Sequence, residues 1–152
     1  MIRLSKLADY GIVMITNMAR HPLRQHNATE IAAASHIALP MASKILKALT
    51  RAGLLTSYRG AKGGYGLARA AESISIAEVI VALEGPIALT SCVEHGPGGC
   101  GIEQLCPARA NWQRINDAIS NALGDITVAE MATAVPPAFM AASGQREVRA
   151  AS

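Results

Sequence analysis

Two short helical patterns joined by a brief turn lie early in the chain, and this spacing limits the number of folds it can adopt. Thr29 is placed to cap a short helix over 30–34. Pro40 suits the first turn of a second helix, and Gly53 is placed to end it. The second helix carries an apolar stripe for burial, made of Ile45, Leu46 and Leu49. Joined through the turn at 35–39, the two patterns predict a helix-turn-helix.

The hydrophobic period changes after these helices, from the helical repeat to the alternation typical of strands. We expect a strand over 54–59, a tight glycine-rich turn over 60–64 and a return strand over 65–68. Flanking helices are expected over 4–20 and 75–84. Only 3% of the residues are aromatic and alanine is abundant, which favours helices over a sheet-based core. The predicted fold is mainly α: a winged helix-turn-helix domain with a small β-hairpin wing, followed by a long C-terminal dimerisation helix.

Three further parts are expected after this domain, which we place at 1–84. Residues 85–106 are predicted to be a loop, because glycine and proline interrupt any apolar repeat. Residues 107–134 are expected to form a long helix opening at Pro107 and a short helix after it. The tail at 135–152 is small, polar and alanine-rich, which predicts disorder. No apolar stretch is long enough for a membrane span and the N-terminus lacks a signal-peptide pattern, so we expect the cytoplasm and no membrane partner.

The net charge of +3 hides an asymmetry between the two parts of the chain. Residues 1–69 hold ten Lys and Arg against two Asp and Glu, a net charge of +8, whereas residues 70–152 have a net charge of −5. A basic part of this size predicts contact with promoter DNA, the second helix entering the major groove and the wing the minor groove. A winged-helix protein-interaction module is the alternative. The residues expected to contact DNA are Thr29, Pro40, Met41, Ser43, Lys44, Lys47, Arg59 and Lys62.

The long helix that follows Pro107 carries an apolar stripe of its own. The stripe lies outside the basic part of the chain, and symmetric readers of DNA are usually dimers. We therefore expect a homodimer joined through this helix, the alternative being that the helix packs on its own domain. The residues expected at the dimer contact are Trp112, Ile115, Ile119 and Leu123.

All three cysteines of the chain fall in one glycine-rich stretch, at Cys92, Cys100 and Cys106. A glycine-rich loop makes a poor core, so thiols collected there suggest a site that binds thiolates. Cys106 precedes Pro107, at the expected start of a helix, where the helix dipole favours anions. Three chemistries fit these residues: an iron–sulfur cluster, a zinc site completed by His95, and a thiol redox switch. The spacings of seven and five residues do not choose among them.

A resemblance to a known family rests on three motifs: RLSKLADYG at the N-terminus, LTRAGLL at the end of the second helix and RGAKGGYGLA in the wing. Followed by three cysteines and a long helix, they resemble the IscR and NsrR type of bacterial transcription regulators over about residues 1–135. The run from Cys106 through Arg109 to Trp112 is most similar to the branch that regulates the SUF cluster-assembly operon. The resemblance implies a homodimer that binds promoter DNA and holds an iron–sulfur cluster, 2Fe–2S or 4Fe–4S, on the cysteines. It also implies a repressor of iron–sulfur assembly genes whose DNA affinity is switched by the cluster.

The resemblance leaves the fourth ligand of the cluster open. IscR-type members use a histidine three residues after the last cysteine, but Arg109 stands at that position and cannot ligate. NsrR-type members use an aspartate from the partner subunit, and Asp9 matches that position. Further candidates within the cysteine stretch are Glu94, His95 and Glu103.

Enzyme chemistry finds little support in the sequence. There is no nucleophile–base pair at readable spacing, no phosphate-binding loop and no pair of acids, so we expect neither catalysis nor a small-molecule substrate. The three histidines of the basic part, His21, His26 and His36, are expected at the surface or beside phosphates. The alternative to a cluster sensor is a zinc- or thiol-redox-responsive winged-helix regulator or interaction module without a cluster.

Overall fold

The computed structural model describes residues 2–95 and 98–134, which form seven α-helices and one β-hairpin. In chain order these are α1 (Lys6–Ala19), α2 (Ala28–Ser35), α3 (Leu39–Arg51), β1 (Leu55–Tyr58), β2 (Gly64–Leu67), α4 (Ile76–Glu84), α5 (Ser91–Glu94), α6 (Arg109–Asp125) and α7 (Val128–Thr133). Two 3₁₀ turns lie at Ala71–Ser73 and Glu103–Leu105. Of the helices in these two ranges, none combines the length and the apolar content needed to cross a membrane.

Both helices of the predicted helix-turn-helix are present, but the first begins earlier than the sequence pattern indicated. α2 starts at Ala28 because Asn27, not Thr29, is its N-cap. The Asn27 side chain accepts the Glu30 amide at 2.8 Å, and the Glu30 carboxylate accepts the Asn27 amide at 3.2 Å. This reciprocal pair is a capping box, which satisfies backbone amides that have no partner within the helix. Thr29 is therefore an exposed residue of the first turn of α2.

An apolar core forms where α1 packs against α2, α3 and α4. The expected stripe of α3 lies at its centre, since Ile45, Leu46 and Leu49 have no exposed area. Burying each of these side chains contributes roughly 1.5–3 kcal/mol. Gly53 follows the C-cap of α3 with a φ of 78°, the left-handed conformation that ends a helix at lowest cost with glycine.

The wing is the antiparallel pair β1–β2, in which Tyr58 lies opposite Gly64. β1 is shorter than predicted, β2 has the predicted length but begins one residue earlier, and a segment that the sequence did not indicate pairs with β2. The His26 amide donates to the Tyr65 carbonyl at 2.9 Å, and the Tyr65 amide donates to the His26 carbonyl at 2.7 Å. A Cβ atom on Gly64 would lie 2.5 Å from that carbonyl oxygen, so only glycine fits beside it. Since its backbone pairs with the wing, His26 is buried and not at the surface as expected.

The last helix, α7, returns the chain to the first core. Val128 is fully buried, and its amide donates to the Ile74 carbonyl at 2.8 Å. The Ile76 amide in turn donates to the Ile126 carbonyl at 2.9 Å. These bonds hold the start of α7 beside the start of α4, and α7 also packs against α1. The core of the predicted domain at 1–84 is thus completed by a residue far beyond that boundary.

α4 begins after Ser75, as predicted, but α6 begins later than Pro107. Pro107 and Ala108 form a turn, and the helix starts at Arg109 without a side-chain cap. α6 packs against α4 and α5.

The stretch at 85–106, predicted to be a loop throughout, contains the single-turn helix α5 and the 3₁₀ turn at Glu103–Leu105. The tail at 135–152, predicted to be disordered, lies outside the described residues, as do Gly96 and Pro97.

Candidate functional site

One face of α3 is basic and open to solvent. Because the opposite face is packed into the core, Lys44 and Lys47 are left exposed. Pro40 is exposed at the start of the helix, Ser43 is half-buried, and Met41 packs partly against the core. Within the ranges that the structure describes, neither lysine forms an ion pair. The face therefore keeps its positive charge available for an external anion.

The turn of the wing presents two more cations. Arg59 and Lys62 are exposed, and neither pairs with an acidic side chain among the described residues. The turn is closed by the Gly63 amide, which donates to the Gly60 carbonyl at 2.9 Å. A Cβ on Gly63 would collide with backbone, so the close turn depends on glycine.

Two other arginines of the basic part are neutralised within the fold. Arg24 pairs with Glu30 at 3.1 Å, and Arg69 pairs with Glu78 at 2.6 Å. Pairs this exposed add little stability, but they remove these charges from the field of the molecule. The four cations that the sequence analysis placed at DNA lie on α3 and the wing, and none of them belongs to an ion pair among the described residues. We call Lys44, Lys47, Arg59 and Lys62 the basic surface.

The cysteines lie in a second region, residues 90–106, which we call the cysteine segment. Cys92 is in α5, Cys100 is in a turn, and Cys106 directly follows the 3₁₀ turn that precedes α6. All three are free thiols with partial exposure. The Thr90 hydroxyl lies 3.1 Å from the sulfur of Cys92. Across residues 2–95 and 98–134, no three His, Cys, Asp or Glu side chains gather as the ligands of one metal ion would.

Glu103, one candidate for a fourth ligand, is already engaged by its neighbours. Its side chain is 6% exposed, and its Oε1 lies 2.6 Å from Nη2 of Arg109. This contact is an ion pair without aligned hydrogen-bond geometry. The Gly98 amide donates to the other carboxylate oxygen, Oε2. Arg109, which replaces the histidine expected by resemblance, thus binds a carboxylate of the cysteine segment.

The other fourth-ligand candidates are exposed. Nδ1 of His95 lies 3.8 Å from Oε2 of Glu94 and 3.2 Å from the Ser91 carbonyl oxygen. Asp9 is exposed on α1, in the other region of the molecule. A carboxylate in that position is accessible to a second subunit.

The apolar stripe of α6 divides into two halves. Trp112 and Ile115 are 39% and 44% exposed, whereas Ile119 and Leu123 are half-buried, and Leu123 packs against the core. Asn116 lies between them and is the buried residue of this helix. The first half of the stripe is exposed, and in the second half Leu123 holds α6 to its own domain.

Sequence reasoning missed three residues that organise these two regions. His26 ties the α1–α2 connection to the wing, and no local pattern signals this pairing because it joins distant positions. Asn116 does have a signal, since it is a polar residue that continues the four-residue spacing from Trp112. Arg109 was recognised only as a departure from an expected ligand. Its partner Glu103 is six residues earlier, a separation that a turn can bridge.

Comparisons with known proteins agree on the class of protein. Residues 4–134 match the Rrf2 family, described as iron-dependent transcriptional regulators. Protein rrf2 of Nitratidesulfovibrio vulgaris Hildenborough is 32% identical over 131 residues, which cover 86% of this chain and 87% of that protein. The HTH-type transcriptional regulator IscR of Vibrio parahaemolyticus is 31% identical over 135 residues, which cover 87% of this chain and 78% of that protein. The structure of CymR, the global cysteine regulator of B. subtilis, matches with a TM-score of 0.74 at 28% identity, covering 90% of this chain and 100% of CymR.

These similarities confirm the resemblance carried by the three motifs, and they confirm the winged helix-turn-helix fold. The names of the similar proteins differ, since one is the HTH-type transcriptional regulator IscR and another is a global cysteine regulator.

Proposed function

Because the chain belongs to the Rrf2 family of transcription regulators, we propose that it binds promoter DNA as a homodimer and represses genes of iron–sulfur cluster assembly. An iron–sulfur cluster on the cysteine segment sets the affinity of this dimer for its operator. The observation that carries the proposal is the collection of every thiol of the chain in one segment that leads directly into α6. The family consists of regulators, so the chain is not an enzyme, as expected.

DNA binding is assigned to the basic surface. The start of α3 would lie in the major groove, where Ser43 and Pro40 are near base edges and Lys44 and Lys47 contact phosphates. The wing would place Arg59 and Lys62 at the flanking backbone or minor groove. Since none of these cations is spent on an internal ion pair in the described ranges, each can release a counterion on binding.

The donor set fits an iron–sulfur cluster in chemistry, although the thiols stand apart without it. Cys92, Cys100 and Cys106 would supply three thiolates, and Glu103 is already paired with Arg109. The fourth ligand that we propose is Asp9 of a second subunit, because it is exposed on α1 and matches the position of the ligand in NsrR-type regulators. A bound cluster would supply iron–thiolate bonds that join three separate parts of the segment.

A continuous set of contacts connects the cysteine segment to the basic surface. α5 packs on α6, α6 on α4, and α4 on both α1 and α3. The proposed mechanism is a population shift between two arrangements of these helices that differ in their affinity for DNA. The exposed half of the α6 stripe, Trp112 and Ile115, is the proposed contact between the two subunits.

A regulator that responds to thiol oxidation without a cluster is the second candidate. Two observations favour it: the structural similarity to a cysteine regulator, and thiols that are free, partly exposed and not gathered as metal ligands within the described residues.

Metal analysis of the protein purified without oxygen separates these candidates. We expect iron and sulfide in equal amounts, together with visible absorption between about 320 and 460 nm from thiolate-ligated iron. The ratio of iron to protein then gives the cluster type. Zinc in a colourless protein contradicts the proposal in favour of a structural site, and protein without metal favours the thiol regulator.

Operator binding tests the second half of the proposal. DNA fragments from the promoter region of the gene that encodes this chain are titrated with cluster-loaded and metal-free protein at one fixed salt concentration. We expect the two affinities to differ by about fivefold or more, the scale of an ordinary allosteric coupling. Equal affinities would refute cluster control. Lys44→Ala serves as the control for the binding surface, because it should weaken both forms alike and lower the salt slope by about one.

A further inference from the structure

Asn116 fastens the chain just ahead of the first cysteine to α6. It is 5% exposed, and its carboxamide makes two hydrogen bonds to backbone far away in sequence. Its Oδ1 accepts the Leu89 amide at 3.1 Å, and its Nδ2 donates to the Ile87 carbonyl at 2.9 Å. A carboxamide offers a donor and an acceptor side by side, as these two bonds require. The residues that lead into Cys92 are therefore attached to the helix by one side chain.

The ion pair of Glu103 and Arg109 fastens the other end of the segment. Arg109 is the first residue of α6, and Glu103 lies between Cys100 and Cys106. Through its second oxygen the carboxylate also accepts the Gly98 amide. A carboxylate this buried is costly unless it is paired, and the guanidinium supplies the opposite charge. The stretch from Gly98 to Cys106 is thereby held against the start of α6.

We propose that Asn116 and the Glu103–Arg109 pair are positioning residues that hold the cysteine segment on α6 when no metal is bound. Neither attachment contains a cysteine side chain, so neither needs a cluster to form. This inference rests on the proposed function in one respect, that the cysteine segment is the sensing element. It assigns the metal-free protein a defined arrangement of that element in place of an unfolded loop.

The test measures the reaction of each thiol with iodoacetamide in full-length, metal-free protein, followed by mass spectrometry. In Asn116→Leu the Ile87 and Leu89 backbone groups lose their partners, and we expect Cys92 to react about tenfold faster, the scale of one unsatisfied buried hydrogen bond. In Glu103→Gln the shape is kept but the charge is lost, and we expect Cys100 and Cys106 to react about tenfold faster. Arg109→Gln should repeat that pattern, and Arg109→Lys should restore much of the protection because it keeps the charge.

Matched controls lie on the exposed side of the same helix. Gln113 and Asp117 form a hydrogen bond of 2.8 Å there, and Gln113→Ala should leave all three rates unchanged. Amide exchange in α3 distinguishes positioning from general destabilisation, because the proposal predicts no change in that helix. If Asn116→Leu does not fold, Asn116→Ala, which removes both the donor and the acceptor and favours the helix, replaces it.

Two results would overturn the proposal: thiol rates that stay unchanged in the Asn116 and Glu103 variants, or rates that rise equally at all three cysteines together with exchange in α3. Because the assay uses metal-free protein, its result is independent of the metal analysis. Absence of iron and sulfide would refute the proposed function and leave this arrangement standing.

Discussion

The basic part of the molecule and the cysteine segment are held together by different forces. In the first, α1, α3 and α4 bury a cluster of aliphatic side chains that includes Met14, Ile45 and Val79, all without exposed area. In the second, α6 buries Asn116, and the segment is attached through hydrogen bonds and one ion pair. Apolar packing gives the first region most of its stability, because area removed from water contributes more than exchanged hydrogen bonds.

This difference matches the roles that we propose for the two regions. A reading surface must keep its shape to match DNA, and a dense core provides that rigidity. The proposed sensing role requires the cysteine segment to change its arrangement at modest cost, and polar attachments with few buried apolar contacts open more readily.

The largest effect is expected from truncating the core of α3. Leu46→Ala should lower the free energy of unfolding by about 2–5 kcal/mol, because it leaves a cavity at a fully buried position. Cys92→Ala in metal-free protein should cost less than about 1 kcal/mol, since the segment is not part of that core. Urea unfolding followed by circular dichroism measures both. Equal costs would erase the distinction and mark the cysteines as structural.

A smaller effect is expected from closing the space beside the wing. Gly64→Ala places a Cβ against the His26 carbonyl, so the wing must shift, at a cost of about 1–3 kcal/mol. Operator affinity should fall by about tenfold, the scale of one lost contact of Arg59. Fluorescence anisotropy with labelled DNA measures the affinity. Wild-type affinity in a folded variant would show that the wing does not contribute.

Lowering the pH should reduce the stability of the basic part of the molecule, because one buried histidine must take up a proton. Burial, the largest cause, lowers the pKa of His26 below its ordinary value of 6.5, and a hydrogen bond to the His21 backbone only partly opposes this. Arg24 lowers the pKa further, and Glu30 raises it. The unfolded chain then takes up the proton first, so stability present above pH 6.5 is lost as the pH falls below it.

Thermal unfolding between pH 7.5 and 5 measures this loss, and His26→Gln should flatten the slope. Glu78 does not confuse the result. The Ser75 backbone amide and then Arg69 lower the pKa of Glu78 below 4.5, so its contribution is lost only in more acidic solution. An unchanged slope in His26→Gln would contradict the assignment.

The smallest effect is a gain in α6. A Cβ on Gly124 would meet no atom within 4 Å, so Gly124→Ala adds helix propensity without a clash. We expect about 0.5–1 kcal/mol of added stability. Differential scanning calorimetry measures it. A loss of stability would show that this side of α6 is covered by a second subunit.

The sequence predicted the elements whose patterns are local. Caps such as Ser75, the turn glycines and the stripe of α3 depend on neighbours within a few residues, and these elements were found, with ends shifted by a few positions. The cap at Thr29 was wrong by two residues because Asn27 offers the same chemistry with a better-placed Glu30. The contacts that organise the candidate site were not predictable, since His26–Tyr65 and Asn116–Ile87 join positions that only the folded chain brings together.

The burial of Val128 beside Ile74 has a consequence for the order in which this protein is made. The chain leaves its first core after α4 and re-enters it at α7, so in chain order the cysteine segment lies between two parts of one core. Because synthesis runs from the N-terminus, the core beneath α3 and the wing is incomplete in the growing chain until α7 emerges. The core that supports the proposed DNA-binding surface is therefore complete only after the cysteine segment has been synthesised.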